Sequence, residues 1–286
     1  VKDDLIVRAS YGRSLSRPDL NRLRPNLAIT DTRPGGPYQA AQGNPALLPY
    51  ISDNLDLSVE WYYDEGSYAS VSVFKKYVDN YITTGVQDGT IFSSELGCDL
   101  TDPSTPGVNP PAPVNGGCGD PTAVFDISTV ENGEAAKVDG IEFALQHLFG
   151  DTGFGVQANY TMVEGDVEFD TSSLTQSVAL LGLSDSANLV AFYENYGWSA
   201  RVAYNWRDEF LFAVDQLRQP GEPVFVDAYG QWDLSASYDI NDNFNIFFEG
   251  LNITDEISTA HGRFDEQFLF AYHGGPRYTL GVRGKF

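Results

Sequence analysis

The sequence has no hydrophobic run of the length that a membrane-spanning helix needs, about 18 or more residues. Methionine occurs once and histidine three times in 286 residues. Basic side chains are also few, because 17 Lys and Arg stand against 40 Asp and Glu and give a net charge of -23. Such an excess of negative charge repels a phosphate backbone, so we exclude nucleic acid as a partner. If the chain crosses a membrane, it must do so with β-strands.

Cysteine is scarce as well, since Cys98 and Cys118 are the only two. They bracket a segment rich in Pro, Gly, Asn and Asp, with no histidine beside them and no Cys-x-x-Cys pair. This pattern predicts a disulfide across one long loop rather than a zinc site. Closing the loop would restrict the unfolded chain by roughly 3 kcal/mol. It would also place the loop in an oxidising compartment.

What the sequence has in quantity is glycine and aromatic residues, with 28 Gly, 16 Tyr, 18 Phe and 4 Trp. These favour β-structure with many turns. In Asn54–Tyr63, apolar and polar residues alternate strictly, as in a strand with one oily face. We predict ten such strands: Leu5–Gly12, Asn54–Tyr63, Tyr68–Val86, Lys137–Phe149, Phe154–Val163, Asn188–Tyr196, Trp198–Trp206, Phe225–Tyr238, Phe244–Leu251 and a terminal strand from Tyr278, or from as early as Phe268, to Phe286.

The connections between these segments alternate between short turns and long polar loops. The short turns lie at 64–66, 150–152, 197 and 241–243, and aromatic residues such as Trp61, Trp198 and Tyr238 crowd next to them. A membrane barrel with an even number of antiparallel strands has short turns on one side, long loops on the other and aromatic girdles at the interfaces. The pattern therefore predicts an all-β protein, an antiparallel transmembrane β-barrel.

The terminal strand fits this fold. Tyr278, Leu280 and Val282 fall on one face, whereas Arg283 and Lys285 fall on the other. An apolar face toward lipid and a charged face toward a lumen is the arrangement of a barrel strand.

Several segments resemble the barrel of TonB-dependent outer-membrane receptors. They are Tyr11–Leu20, Gly43–Pro49 leading into Ser52–Tyr62, Glu249–Glu256 and the closing strand. The resemblance implies a 22-stranded barrel in the outer membrane of a Gram-negative bacterium, plugged by an N-terminal domain and energised by the TonB-ExbB-ExbD complex. Nothing in residues 1–286 resembles the plug, a signal peptide or the TonB-binding motif. We therefore expect the whole chain to be the C-terminal portion of such a barrel, although ten strands could also close alone.

The resemblance also implies that the terminal strand is read by the barrel assembly machinery. Tyr278, Thr279, Gly281 and Phe286 match the family's signal of a polar residue, glycine and late hydrophobic positions. Gly284 departs from it, because it stands where a hydrophobic residue is expected.

We predict that arginine side chains of the first long loop contact the ligand. Arg17, Arg22 and Arg24 lie in the first long loop, and planar guanidinium groups suit carboxylates, phosphates or sugar hydroxyls on a small-molecule ligand. The alternative is pairing with Asp19 and Asp31, or with the plug. Asp99, Asp102 and Asp120 lack the spacing of a calcium loop, so we predict no metal and no cofactor.

We predict a receptor that imports a scarce nutrient of the siderophore, vitamin or oligosaccharide class. No Gly-x-Ser-x-Gly elbow accompanies the histidines, so we expect no catalytic residue and no enzyme. Two alternatives stay open: a passive channel, and an omptin-like protease of ten strands. For the protease, the candidate pair is Asp255 or Asp265 with His261 or His273.

Overall fold

The computed structural model describes residues 4–31, 38–89, 92–93, 98–99, 125–133, 135–173, 179–214 and 222–285. The chain forms two compact units, which we call the barrel unit and the small unit. The barrel unit comprises Val1–Ser14, Ser52–Tyr77 and Ala136–Phe286. The small unit comprises Leu15–Ile51 and Val78–Ala135.

The largest element is a ten-stranded sheet with the order β1-β4-β5-β10-β11-β12-β13-β16-β17-β20. Its strands are β1 (Leu5–Ser16), β4 (Tyr50–Asp64), β5 (Ser67–Asp79), β10 (Ala136–Leu148), β11 (Phe154–Gly165), β12 (Ser186–Asn195), β13 (Trp198–Arg207), β16 (Tyr229–Asn241), β17 (Phe244–Leu251) and β20 (Arg277–Gly284). Each of the ten predicted strands has its counterpart in this sheet, and the described residues contain ten further, mostly shorter strands outside it. The sheet is open, with β1 and β20 as its outer strands among the described residues.

Each pair of strands that the sequence places around a short turn is a hairpin in this sheet. The link from β4 to β5 is Glu65-Gly66, and a single 3-10 turn, Gly150–Thr152, lies between β10 and β11. Tyr196-Gly197 joins β12 to β13. Tyr196 and Gly197 take φ angles of 51° and 76°, the left-handed region that a two-residue hairpin turn uses. The alternation of short turns and long connections is therefore confirmed.

The two faces of the sheet differ in chemistry, as the period of two predicts. One face, the apolar face, is lined by large exposed side chains, for example Leu189 at 49%, Val202 at 44% and Leu280 at 73% exposure. The opposite face, the polar face, carries Asn, Gln, Asp and Arg side chains. A soluble sheet buries its apolar face, so the exposure of this one indicates a non-aqueous neighbour.

Several connections predicted as loops contain strands. The small unit has a four-stranded sheet of order β2-β3-β9-β6. Its strands are β2 (Leu27–Asp31), β3 (Tyr38–Gln42), β6 (Ile82–Gly89) and β9 (Phe125–Asn132), with β3 parallel to β9. Two short strands, β7 (Phe92–Ser93) and β8 (Cys98–Asp99), pair with each other. Ala40, Ile82 and Phe125 form the core of the small unit, at 1%, 5% and 0% exposure.

The predicted strand Tyr68–Val86 is interrupted, because β5 ends at Asp79. Asn80 has a left-handed φ of 60°, which breaks the extended backbone. Its Nδ2 donates to the Pro49 carbonyl at 3.0 Å, and Asn132 Nδ2 donates to the Asn80 carbonyl at 3.0 Å. These bonds stabilise a turn that no periodicity in the sequence indicates.

The barrel unit also contains a second sheet of order β14-β15-β18-β19, with β14 (Phe210–Ala213), β15 (Val224–Val226), β18 (Ser258–His261) and β19 (Phe268–Tyr272). The predicted strand Phe225–Tyr238 is thus divided between β15 and β16. The terminal strand begins at Arg277 and not at Phe268, because β19 pairs with β18 instead. Gly275, with a φ of 69°, and Pro276 separate β19 from β20.

Aromatic rings on the polar face cover glycines of neighbouring strands. Phe192 pairs directly with Gly155, and Phe247 with Gly281. A Cβ at Gly155 would lie 2.3 Å from the Phe192 ring, and one at Gly281 would lie 2.4 Å from the Phe247 ring. A side chain at either glycine would therefore have to displace the ring that covers it.

The predicted Cys98–Cys118 disulfide falls outside the described residues, because Cys118 is not among them. No helix among the described residues is long and apolar enough to span a membrane.

Candidate functional site

A ladder of polar side chains runs across the polar face of three neighbouring strands. Asn188 on β12 donates to Asn205 on β13, and Asn205 Nδ2 donates to Asp233 Oδ2 on β16 at 3.4 Å. Gln231 Nε2 donates to Asp233 Oδ1 at 2.6 Å, and Tyr229 donates its hydroxyl hydrogen to Gln231 at 2.8 Å. These side chains satisfy one another's hydrogen-bonding groups. The network therefore orders the side chains of a face that can border water.

One end of this ladder opens into a cavity of about 610 Å³ in the barrel unit. Arginine, amide and carboxylate side chains line it, among them Asn205, Arg207, Glu256 and Arg277. The Arg207 guanidinium lies 4.2 Å from the centre of the Phe210 ring. Two cations, an acid and several amides in one recess suit a polar ligand or a contacting polar segment.

The small unit holds a second cavity, of about 530 Å³, lined by Arg22 and Arg24. Gly43 permits this arrangement, since a Cβ there would lie 2.4 Å from the Arg24 carbonyl oxygen and 2.7 Å from that of Arg22. The Asn44 amide donates to the Arg22 carbonyl at 2.7 Å. The Gly-Asn pair thus fixes the backbone that carries both arginines, and we call this recess the arginine cavity.

The arginines of the first segment divide into two groups. Arg8 pairs with Glu60, and Arg13 Nε lies 3.8 Å from Asp53 Oδ1. Arg17, Arg22 and Arg24 are exposed, and within the described ranges none of the three forms an ion pair. The structure thus brings Arg22 and Arg24 together, whereas Arg17 does not line the arginine cavity.

Arg263 anchors one long connection of the barrel unit. Only 7% of this residue is exposed, and its Nη1 donates to the carbonyls of Thr171 and Ser173, the latter at 2.7 Å. Its Nε lies 3.6 Å from Glu222 Oε1, and its guanidinium lies 5.7 Å from the centre of the Phe169 ring. A single side chain therefore joins residues 169–173 to the β18–β19 hairpin.

The three histidines have different neighbours. His147 stacks on Tyr63 at 5.8 Å beside a short turn. His273 Nε2 lies 2.6 Å from Asp255 Oδ1, with both side chains 51% exposed, so one of the candidate pairs for hydrolysis does meet. His261 does not meet Asp255 or Asp265 in this way.

His261 instead contacts two carboxylates that no motif in the sequence indicates. Its Nε2 lies 3.0 Å from Glu209 Oε2 and 3.5 Å from Asp227 Oδ1. Its Nδ1 lies 2.8 Å from the Gly262 carbonyl oxygen, which can only accept a hydrogen bond. Burial alone would lower the pKa of His261, but the hydrogen bonds to Glu209 and Gly262 and the charges of both acids outweigh it. The pKa therefore lies above its ordinary value of 6.5.

Of the predicted assembly signal, Tyr278, Thr279 and Gly281 lie on β20, and Phe286 is outside the described residues. Tyr278 is 59% exposed on the apolar face, and Gly281 lies against the Phe247 ring on the polar face. Their part in assembly stays a prediction.

An antiparallel sheet with one face exposed and apolar and the other face polar is typical of a β-barrel protein of membranes. A family model described as TonB dependent receptor-like, beta-barrel matches residues 1–253. The chain belongs to this family. The resemblance drawn from the sequence is thus confirmed, and with it the all-β barrel fold.

Solved structures show the same fold. The ferric enterobactin receptor of Pseudomonas aeruginosa, in a variant bound to enterobactin, aligns over 99% of this chain and 39% of its own, with 18% identity and a TM-score of 0.68. The siderophore receptor PirA of Acinetobacter baumannii aligns over 100% and 40%, with 15% identity and a TM-score of 0.66. The copper transporter OprC aligns over 100% and 38%, with 14% identity and a TM-score of 0.58. The chain therefore spans about two fifths of the length of these receptors. No curated protein sequence matches it.

Proposed function

We propose that this chain is part of an outer-membrane receptor that takes up a scarce nutrient in a TonB-dependent manner. The observation that carries the proposal is the match of residues 1–253 to the TonB-dependent receptor barrel, on a sheet with an exposed apolar face and a hydrogen-bonded polar face. The members of this family are receptors and transporters rather than enzymes. The outer membrane of a Gram-negative bacterium is the corresponding location, with outer-membrane lipid against the apolar face.

The ligand class we favour is an anionic or hydroxyl-rich small molecule, such as a siderophore, a vitamin or an oligosaccharide. The arginine cavity supports this, because the guanidinium groups of Arg22 and Arg24 carry no ion pair within the described residues. Planar guanidinium groups bind carboxylates and phosphates with two parallel hydrogen bonds. Siderophore-binding neighbours of the same fold make ferric siderophores the first compounds to try.

Uptake in cells tests the proposal. Bacteria that depend on the full-length receptor would be grown under nutrient limitation with ferric siderophores, cobalamin or oligosaccharides, with and without functional TonB. We expect growth on one of these ligands only when TonB is active. Uptake that persists without TonB would support a passive channel, and would contradict the proposal.

Ligand binding to the purified receptor tests the arginine cavity separately. We expect the double variant Arg22→Ala, Arg24→Ala to weaken binding at least tenfold, since each charge-assisted hydrogen bond contributes about 1.5–3 kcal/mol. Arg8→Ala is the matched control, because the charge of Arg8 is already paired with Glu60. Equal affinity of the double variant and the control would place the ligand elsewhere, and the cavity lined by Arg207 and Arg277 would be tested next.

The hydrolase alternative has one geometric observation, the pair of Asp255 and His273. A hydrolysis assay on outer-membrane protease substrates with His273→Asn compared with the unchanged protein decides it. Activity lost in this variant would establish an enzyme, which the family does not predict.

A further inference from the structure

We propose that Glu209, Asp227 and His261 bind one divalent transition-metal ion, for which Zn²⁺ is the appropriate probe. One ligand atom from each residue lies within 4.8 Å of the other two. The three come from separate parts of the chain. Glu209 immediately precedes β14, Asp227 follows β15 and His261 ends β18. The proposal concerns this cluster alone and does not depend on what the receptor transports.

The distances between the ligand atoms suit a metal ion. Zinc bonds of about 2.0–2.2 Å in a tetrahedron separate neighbouring ligand atoms by about 3.4 Å. His261 Nε2 lies 3.0 Å from Glu209 Oε2 and 3.5 Å from Asp227 Oδ1. An ion placed between the three groups therefore requires shifts of only a few tenths of an ångström for these two pairs.

The surroundings orient two of the three ligands. Because His261 Nδ1 donates to the Gly262 carbonyl, the lone pair of the neutral ring lies on Nε2, toward the two carboxylates. The Phe225 ring stacks on the imidazole at 5.3 Å and 14°. Thr259 donates its hydroxyl hydrogen to Asp227 Oδ2, which leaves Oδ1 for the ion. Metal sites in proteins use such second contacts to fix ligand orientation.

Charge favours an ion at this point. With a neutral imidazole, the two carboxylates leave a local charge of -2, and among the described residues His261 is their only ion-pair partner. A divalent cation compensates this charge. An imidazole ligand suits zinc and its transition-metal neighbours, whereas calcium and magnesium prefer shells made of oxygen alone.

The bound ion would hold three connections of the barrel unit together. The His261 side chain is 8% exposed, whereas Glu209 is 47% exposed, so one side of the cluster is open to solvent. Water or a ligand group can therefore complete the coordination, as in three-ligand zinc sites. The ion would link the start of β14, the end of β15 and the β18–β19 hairpin.

Zinc titration of the full-length protein tests this proposal. The protein would be purified in detergent, stripped with a chelator, and titrated with Zn²⁺ and, in parallel, Ca²⁺ by isothermal calorimetry. We expect a Zn²⁺ site that is lost, or weakened at least about 100-fold, in His261→Asn and in Glu209→Gln, with no matching Ca²⁺ site. Thr259→Val removes only the second contact, and should weaken binding by about 10–100-fold.

His273→Asn is the matched control, because it removes an exposed histidine that contacts one carboxylate, Asp255. It should leave the zinc site unchanged. Zinc binding with equal affinity and stoichiometry in His261→Asn and in the unchanged protein would overturn the proposal. So would the absence of Zn²⁺ binding to the unchanged protein.

X-ray absorption on the unchanged, zinc-loaded protein covers the case in which a variant does not fold. We expect a shell of one imidazole nitrogen together with oxygen ligands. A shell with sulfur, or with two or more imidazoles, would place the ion elsewhere and refute the assignment.

Discussion

Replacing Leu280 with arginine tests whether the apolar face of the large sheet contacts lipid. Leu280 lies near the middle of β20, opposite Phe248 of β17, and 73% of it is exposed. Its neighbour Thr279 points to the polar face, opposite Glu249. The substitution Thr279→Arg therefore adds the same side chain one residue away, on the other face of the same strand.

The expected changes in the free energy of unfolding differ enough to tell whether this face contacts lipid or water. An arginine on the lipid face of a barrel near the bilayer midplane destabilises the folded state by about 2–4 kcal/mol. An exposed surface substitution in water stays within about 0.5 kcal/mol. We therefore expect Leu280→Arg to lower the free energy of unfolding by about 3 kcal/mol. Thr279→Arg should change it by less than about 1 kcal/mol, because the added charge enters a polar lumen and faces a carboxylate.

The measurement is a denaturant titration of the full-length protein folded into lipid vesicles, followed by tryptophan fluorescence and analysed by linear extrapolation. Tyr278→Arg and Val282→Arg, two residues to either side, add a depth series. We expect both to cost less than Leu280→Arg, since the penalty falls toward the interfaces. If Leu280→Arg and Thr279→Arg have equal effects, the exposed apolar face does not contact hydrocarbon and the barrel interpretation fails.

Three further predictions concern individual residues. Arg263→Ala removes two charge-assisted bonds, one to the Ser173 carbonyl, and a local destabilisation of about 3 kcal/mol should speed hydrogen exchange of the Ser173 amide roughly 100-fold. No acceleration would mean that Arg263 does not anchor the connection. Gly43→Ala forces a Cβ against backbone and should destabilise the small unit by about 2 kcal/mol in thermal unfolding. Gly12→Ala, with open space around it, is its control. Burial raises the pKa of Tyr81 above 10.0. The contribution of Tyr81 to the free energy of unfolding is therefore fully present below pH 10.0, and it is lost as the pH rises through the folded-state pKa. In Tyr81→Phe, alkaline unfolding should lose this step.

The large sheet could be predicted from the sequence because its strands and turns are determined by residues that are close together in the chain. The turn residues at 241–243 and the polar loop that begins at Asn252 give the bounds of β17 to the residue, and Glu65-Gly66 gives the hairpin turn before β5. Where the chain departs from prediction, a distant contact is the cause. β5 stops at Asp79 because the turn at Asn80 is bonded to Pro49 and Asn132, far away in the sequence.

The acidic partners of His261 show the same limit at the candidate metal site. Glu209 and Asp227 lie 52 and 34 residues before His261, so no spacing rule could join them. They meet because β15 pairs with β18, which a sequence read segment by segment does not reveal. Arg207 could have been predicted from the sequence as a polar-face residue, because alternate residues of a strand share one face and Arg201, Ala203 and Asn205 precede it at steps of two. Arg22 and Arg24 line the same cavity because Gly43 has no side chain: a Cβ there would collide with the carbonyl oxygens of both arginines, which no pattern in the sequence indicates.

The glycines covered by aromatic rings bear on how the strands find their register. Alternation of apolar and polar residues forbids a slip of one residue, because that slip turns every side chain to the wrong face. A slip of two residues keeps every face correct, so alternation cannot reject it. The pair Gly281 with Phe247 can, because a slip of two residues in either direction would place the Phe247 ring opposite Thr279 or Arg283, which have side chains. The pair Gly155 with Phe192 rejects the slip in one direction, the one that places Phe192 opposite Gln157. These two pairs therefore help to distinguish the native register from a register shifted by two residues, which keeps the same faces.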